Sequence, residues 1–284
     1  MSVKKIWAVI RGNLSVCFRT PRFYIAVILV AILFQQMTGP IRTFCAQTGY
    51  AVTPWLFPHF MGEHYIQNIF SLGIVLIFCD APFIKNNTPY VILRTGRRKW
   101  LWSQIGYIVV NSFLYCAALY MVSLILVLPY LTIDGGWGKV IGTLAQTNAF
   151  YQVGTIRMDY QLIVGFEPWQ AALFSVAMGV SVCTFIGLLM MCINLFGHIY
   201  LGPVAGAAVA FTPYLADIFS DMYAGYYVAP PAWMEMTMLG KNSLSPYPTV
   251  PYAVLFLAGW IFLFICCAHW KFRRQVIEVM STEG

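Results

Sequence analysis

The sequence predicts an all-α integral membrane protein: six transmembrane helices, N- and C-termini cytoplasmic, preceded by an amphipathic interfacial helix. Three observations predict this. Hydrophobic residues make up 60% of the 284-residue chain and charged residues only 10%, where soluble domains carry roughly 25% charge. Six apolar stretches reach the ~20 residues that cross the hydrocarbon of a bilayer. Lys and Arg gather in short segments between those stretches, as they do when positive loops are retained in the cytoplasm.

Residues 1–22 form the interfacial element. Val3, Trp7, Ile10, Leu14 and Cys17 fall on one helical stripe and Lys4, Ala8, Arg11, Ser15 and Arg19 on the opposite one. Such a helix lies along the inner membrane surface with its basic face toward anionic headgroups. Thr20-Pro21 breaks it. The transmembrane domain is residues 23–270, with spans expected at Phe23–Ile41, Tyr65–Ile84, Gln104–Ile133, Trp169–Phe196, Ile199–Phe219 and Val250–Trp270. Gln35, Gln36 and Pro40 interrupt the outer half of the first. The third and fourth exceed the bilayer and are expected to tilt or project. A cytoplasmic connector covers residues 82–100, outer loops cover 134–168 and 220–249, and a cytoplasmic tail covers 271–284.

Orientation follows from the positive charges. Thirteen of the 17 Lys and Arg fall on the side of the N-terminus, connector and tail; Arg42, Lys139, Arg157 and Lys241 fall on the other. An even number of spans keeps the Lys271-Phe272-Arg273-Arg274 end inside. Trp100, Trp102, Trp169 and Trp270 sit at expected span ends, where indole rings anchor in the headgroup zone, whereas Trp260 falls mid-span and needs a packing partner.

Several chemistries are excluded or disfavoured. The net charge of +7 is distributed as topology signals, with no basic-aromatic nucleic-acid pattern. Six of the eight cysteines lie in apolar runs as small hydrophobes, Cys17 is expected inside and only Cys45 outside, so no disulfide framework is expected. No cleavable signal peptide is expected either, because the first apolar run follows a long basic lead-in. His59, His64, His198 and His269 are scattered; His59 and His64 read as surface histidines of an outer loop, and no metal is expected. Gly135-Gly136-Trp137-Gly138-Lys139 imitates a phosphate-binding loop, but Val140 replaces the Ser or Thr that would hold magnesium. No hydrolase elbow occurs, and no acid pair sits inside a span.

A few polar residues remain as candidates. Asn111 and Asn194 lie within spans, where amides either line a substrate path or hydrogen-bond across helices. Asp217 and Asp221 share a face at the outer end of the fifth span, as a lure for cations or a mark of the membrane boundary. Asp80, near the inner end of the second span, is costly unless paired, with Lys85 or the connector arginines as expected partners. Gly202 and Gly206 give the fifth span a small-residue face, for a subunit interface or for packing within the chain. Pro230-Pro231-Ala232-Trp233-Met234-Glu235 reads as a helix start with an acid in its first turns.

The connector, with Lys85-Asn86-Asn87-Thr88-Pro89-Tyr90 followed by Val91-Ile92-Leu93-Arg94-Thr95-Gly96-Arg97-Arg98-Lys99-Trp100-Leu101-Trp102, resembles the cytoplasmic loop of ABC type-2 export permeases. As a layout the resemblance covers nearly the whole chain: an amphipathic N-terminal helix, six spans, a coupling helix between the second and third, and short outer helices after the fifth. It implies a transport subunit, not an enzyme, in a bacterial cytoplasmic membrane. Cytosolic ABC ATPase subunits would hold the ATP and Mg, no cofactor would bind this chain, and a second or homologous permease would complete the path. Lys85, Asn86, Thr88, Pro89, Tyr90, Arg94, Arg97 and Arg98 would then contact the ATPase, and Asn111, Asn194, Asp217 and Asp221 are the candidate path residues. The apolar and aromatic spans suit an amphipathic cargo such as a peptide, a lipid or a natural product. The alternatives are a membrane scaffold without transport, and an ion-coupled carrier, which calls for repeats and midplane charges that the sequence does not show.

Overall fold

The computed structural model describes residues 3–84, 88–147, 149–156, 158–197, 200–218, 223–240 and 246–274. Among them the architecture is helical, with no strand beyond two isolated bridges. Helix α1 spans Val3–Cys17, and α2 spans Pro21–Thr48 with Pro21 in its first turn. A short helix α3, Phe57–Phe60, precedes α4, His64–Phe78. Next come α5, Thr88–Thr95, and α6, Arg97–Val127. The following loop carries α7, Gly138–Gln146, α8, Ala149–Val153, and α9, Tyr160–Gly165. Helix α10 is Pro168–Phe196, α11 is Leu201–Ala210, α12 is Thr212–Ile218 and α13 is Val250–Arg274.

Four of these helices are long and apolar enough to cross a membrane: α2, α6 with its 3-10 extension to Tyr130, α10 and α13. The α11–α12 pair makes a fifth if the bent pair is one span, and α4 is a shorter apolar helix. The protein is therefore a multi-pass membrane protein by the lengths and composition of its helices. Helix α10 is the hub, packed against α4, α6, α11 and α13, while α2 packs on α4 and α6. Helix α10 is mostly buried, whereas α13 turns most of its surface outward.

The departures from the expected spans have local causes. Helix α2 runs on through Pro40 to Thr48, seven residues past the expected Ile41, and stops at Gly49 in the left-handed conformation (φ 71°), whose N–H bonds the Cys45 carbonyl. Cys45, expected in an outer loop, is thus inside α2 and buried. Helix α4 ends at Phe78, not at Ile84, in a turn over Cys79–Phe83. Pro82 has no N–H to continue the helix and disfavours helical backbone at Ala81. At 15 residues α4 is about 22 Å long, short of the ~30 Å hydrocarbon core.

The expected fifth span bends by 45° at Phe211. Pro213 cannot donate to the carbonyl of Val209 four residues back, and the Thr212 hydroxyl donates to that carbonyl instead at 2.7 Å. Gly202 and Gly206 face inward. A Cβ on Gly206 would lie 2.9 Å from Met190 Sδ and 3.0 Å from Val75 Cγ2, so this face packs on α10 and α4 of the same chain. Trp100, expected as a headgroup anchor, is instead 2% exposed and stacked on Phe272 with ring centroids 5.1 Å apart. Trp260 finds its packing partners in Phe256 and Phe264 on its own helix.

Candidate functional site

The connector is not one loop. Residues 88–95 form α5, and Arg97, Arg98 and Lys99 begin the long helix α6 instead of preceding it. The joint is Gly96, at φ 87° and ψ 144°, a backbone region that disfavours L side chains. Thr88 and Ile92 are buried. Tyr90 and Leu93 point the other way, 73% and 84% exposed. An eight-residue helix cannot hold itself together in water; α5 is held by packing on α6 and by the Thr95 hydroxyl, which donates to the Val91 carbonyl at 2.6 Å.

Helix α1 buttresses the same end. It packs along α6, burying Ile10 and Cys17, with Asn13 Nδ2 donating to Gln104 Oε1 at 2.9 Å. The expected apolar stripe is only partly used, since Val3 and Trp7 stay exposed at 72% and 54%. Lys5 Nζ donates to the Arg94 carbonyl at 3.3 Å, tying α1 to α5. Thr88, Pro89, Tyr90, Arg94, Arg97 and Arg98 are therefore gathered at one end of the bundle, while Lys85 and Asn86 lie outside the described residues.

The three path candidates among the described residues, Asn111, Asn194 and Asp217, are held by separate partners. Asn111 is fully buried in α6 and accepts a weak contact from Cys17 Sγ at 3.8 Å; its Nδ2 has no partner among the described residues. Asn194 Nδ2 donates to the Ala81 carbonyl at 2.7 Å, and Gly202 N–H donates to Asn194 Oδ1 at 2.8 Å. Asn194 therefore fastens three segments. Asp217 accepts from the Tyr226 hydroxyl at 2.5 Å and lies 3.2 Å from His64 Nε2. Asp221 lies outside the described residues. Asp80 pairs with Arg22 in the first turn of α2, not with the connector arginines.

Sequence reasoning missed a polar cluster at the opposite end. His59 is buried, not a surface histidine; its Nδ1 accepts from the Asp159 N–H at 3.4 Å and its ring meets Trp137 edge-on at 5.2 Å. Desolvation drops its pKa to about 3, so the imidazole stays neutral. Glu235 follows the 3-10 turn Pro230–Met234 instead of sitting in a helix first turn. Its Oε1 accepts from the Thr237 hydroxyl at 2.7 Å, and its Oε2 is buried with no partner among the described residues. Burial pushes its pKa up to about 8, against the Thr237 bond and helped by the charges of Asp159, Glu63 and Asp217. Burial also raises the pKa of Glu63. These residues come from positions 59 to 235, so no local motif announced them. No group of three or more His, Cys, Asp or Glu among the described residues is arranged to hold a metal ion.

Comparison of the chain with protein-family models, with curated proteins and with solved structures finds no match.

Proposed function

We propose that this chain is the membrane-spanning permease subunit of an ATP-driven exporter of the ABC type-2 kind, with six spans and both termini in the cytoplasm of a bacterial cell. In this reading α4 is the second span, completed by the turns that flank it, and α11–α12 is the fifth. Separate cytosolic ATPase subunits hold ATP and Mg, and a second permease copy or a homologue completes the path. The cargo is amphipathic or hydrophobic: a peptide, a lipid or a natural product.

The observation that carries the reading is α5. A short helix between two apolar helices, buttressed by α1 and α6, presents Tyr90 and Leu93 away from the bundle. Exposed apolar side chains on a small braced element suit a pocket on a partner protein. The adjoining Arg94, Arg97 and Arg98 suit an acidic rim. ATP-driven closure of the ATPases would push α5, and α6 would carry the displacement into the bundle.

The test is purification of the tagged full chain from its native membranes in mild detergent. Co-purification of a soluble ATPase at stoichiometric yield supports the reading, and its repeated absence sinks it. A second reading, a proton-coupled carrier, is favoured by Glu235, which would titrate near pH 8 at the far end. Transport that survives ATP depletion and stops on collapse of the proton gradient would select it.

A further inference from the structure

Between α1 and α5 runs an open groove of about 580 Å³, floored by Trp100 at the start of α6. Lys4, Lys5 and Arg94 line it together with the apolar side chains of Val9, Phe83 and Val91, and no carboxylate is among the lining residues. Lys4, Lys5 and Arg94 are all exposed, and Lys5 bridges α1 to α5 through the Arg94 carbonyl. A soluble anion needs the cations alone and gains nothing from the apolar wall. A protein acid would leave much of that wall wet. A molecule that fills both has a phosphate at one end and a hydrocarbon chain at the other.

We propose that this groove is a binding site for one anionic phospholipid. Its phosphate meets Lys4, Lys5 and Arg94, and an acyl chain lies along Val9, Phe83 and Val91. The lipid makes a second contact between α1 and α5 beside the Lys5 hydrogen bond, so the position of α5 depends on the headgroup charge of the leaflet around it. Tyr90 and Leu93 point away from the groove and stay available to a protein partner. The proposal rests on the topology given above only for the choice of inner leaflet; the site itself requires the membrane and nothing of the transport reading.

The purified full chain is placed in nanodiscs of equimolar dioleoyl phosphatidylglycerol and dioleoyl phosphatidylcholine, and retained lipids are counted by native mass spectrometry after release. Phosphatidylglycerol is expected to be retained in preference to phosphatidylcholine. The Lys4→Ser, Lys5→Ser, Arg94→Ser triple variant lowers that preference at least about fivefold, the change carried by one lysine or arginine near a headgroup. Gly12→Leu keeps every charge. A Cβ at Gly12 meets nothing within 4 Å, and the residue lines the groove, so a leucine there fills it while favouring the helix. It too must lower the preference, whereas Arg98→Ser must not.

Equal retention of the two lipids by the native chain overturns the proposal. So does an unchanged preference in Gly12→Leu, which would mean attraction to charge at the surface without a seated chain. Full displacement by inorganic phosphate assigns the cations to a soluble anion, and an ATPase that strips the bound lipid assigns the groove to a protein interface; either result ends the lipid assignment. Because the lipid count is made without ATPase or ATP, a failure of the exporter reading leaves its outcome unaltered.

Discussion

Asn194, near the end of α10, donates its side-chain N–H to the carbonyl of Ala81, 113 residues earlier, at 2.7 Å. Its oxygen accepts from the N–H of Gly202 at the start of α11 at 2.8 Å. One amide thus satisfies a turn carbonyl and a helix-end N–H, two groups that lipid cannot serve. Asn194→Leu removes both bonds while keeping the volume. The expected cost is about 1–3 kcal/mol, read as an earlier thermal transition in detergent with expression and insertion retained. A transition unmoved by the substitution removes Asn194 from its fastening role.

The two glycines of α11 differ in what surrounds them. A Cβ on Gly202 would come within 2.7 Å of the backbone oxygen of Met190, which cannot swing aside, and would press on Asn194 as well. A Cβ on Gly206 would meet chiefly the Met190 thioether, a flexible side-chain end. Gly202→Ala is therefore expected to destabilise by about 1–3 kcal/mol, and Gly206→Ala by clearly less. Thermal unfolding of the two variants side by side checks the order; the reverse order contradicts the packing described.

Glu235 gives the stability a pH dependence between pH 4.5 and about 8. Its folded-state pKa of about 8 lies above its ordinary value of 4.5, so the folded form prefers the protonated acid. The stability this provides is complete below pH 4.5 and is lost as the pH rises through about 8. His59 acts in the opposite sense. Its depressed pKa of about 3 leaves its contribution complete above the ordinary 6.5 and removes it as the pH falls toward 3. Glu235→Gln should flatten the decline of the transition temperature between pH 4.5 and about 8 and leave the His59 limb in place. A decline across pH 4.5 to about 8 identical to that of the native chain would show that Glu235 does not titrate in this window.

Arg97 and Arg98 start α6 at the end where α5 projects. Positive charges in the first turn of a helix are opposed by its dipole, so their presence there needs a reason outside the helix. Paired reversal to glutamate should relieve the dipole, leave membrane insertion intact and reduce ATPase co-purification at least tenfold. Retention of the ATPase at native yield in the double variant would falsify the docking role.

The long apolar stretches were legible because hydrocarbon imposes a composition and a length that few other settings demand. Pro168–Phe196 is matched to within one residue, since Glu167-Pro168 marks its start and Gly197 its end. The ends set by single contacts were not legible. The run of α2 through Pro40 as far as Gly49, the stop of α4 at Phe78 a turn before Pro82, and the bend at Phe211 before Pro213 each turn on one proline, glycine or hydroxyl, and whether such a residue stops, bends or spares a helix is decided by the backbone bonds around it. The charges of the connector dominate its sequence, and the resemblance supplies a coupling helix there without its bounds. Its division at Gly96 hangs on one backbone angle, although the glycine itself was in plain view. For Asp80 the sequence offers the nearest cations, Lys85 and the connector arginines, whereas the fold pairs it with Arg22 by placing the first turn of α2 beside the end of α4. The cluster of His59, Glu63, Asp159, Asp217 and Glu235 had no local spacing to betray it.

The single-residue joint at Gly96 has a mechanical corollary. From there α6 and its 3-10 extension run unbroken to Tyr130, whose carbonyl accepts from the N–H of Val52 at 2.9 Å, while Thr53 Oγ1 donates to the carbonyl of Trp137 at 2.8 Å. Trp137 in turn borders the His59 ring. A nudge at the tip of the small basic helix need not diffuse through sliding interfaces: a rod of 34 residues, roughly 50 Å at the helical rise, connects it to the strand-like stitch beside the buried His59 on the far side.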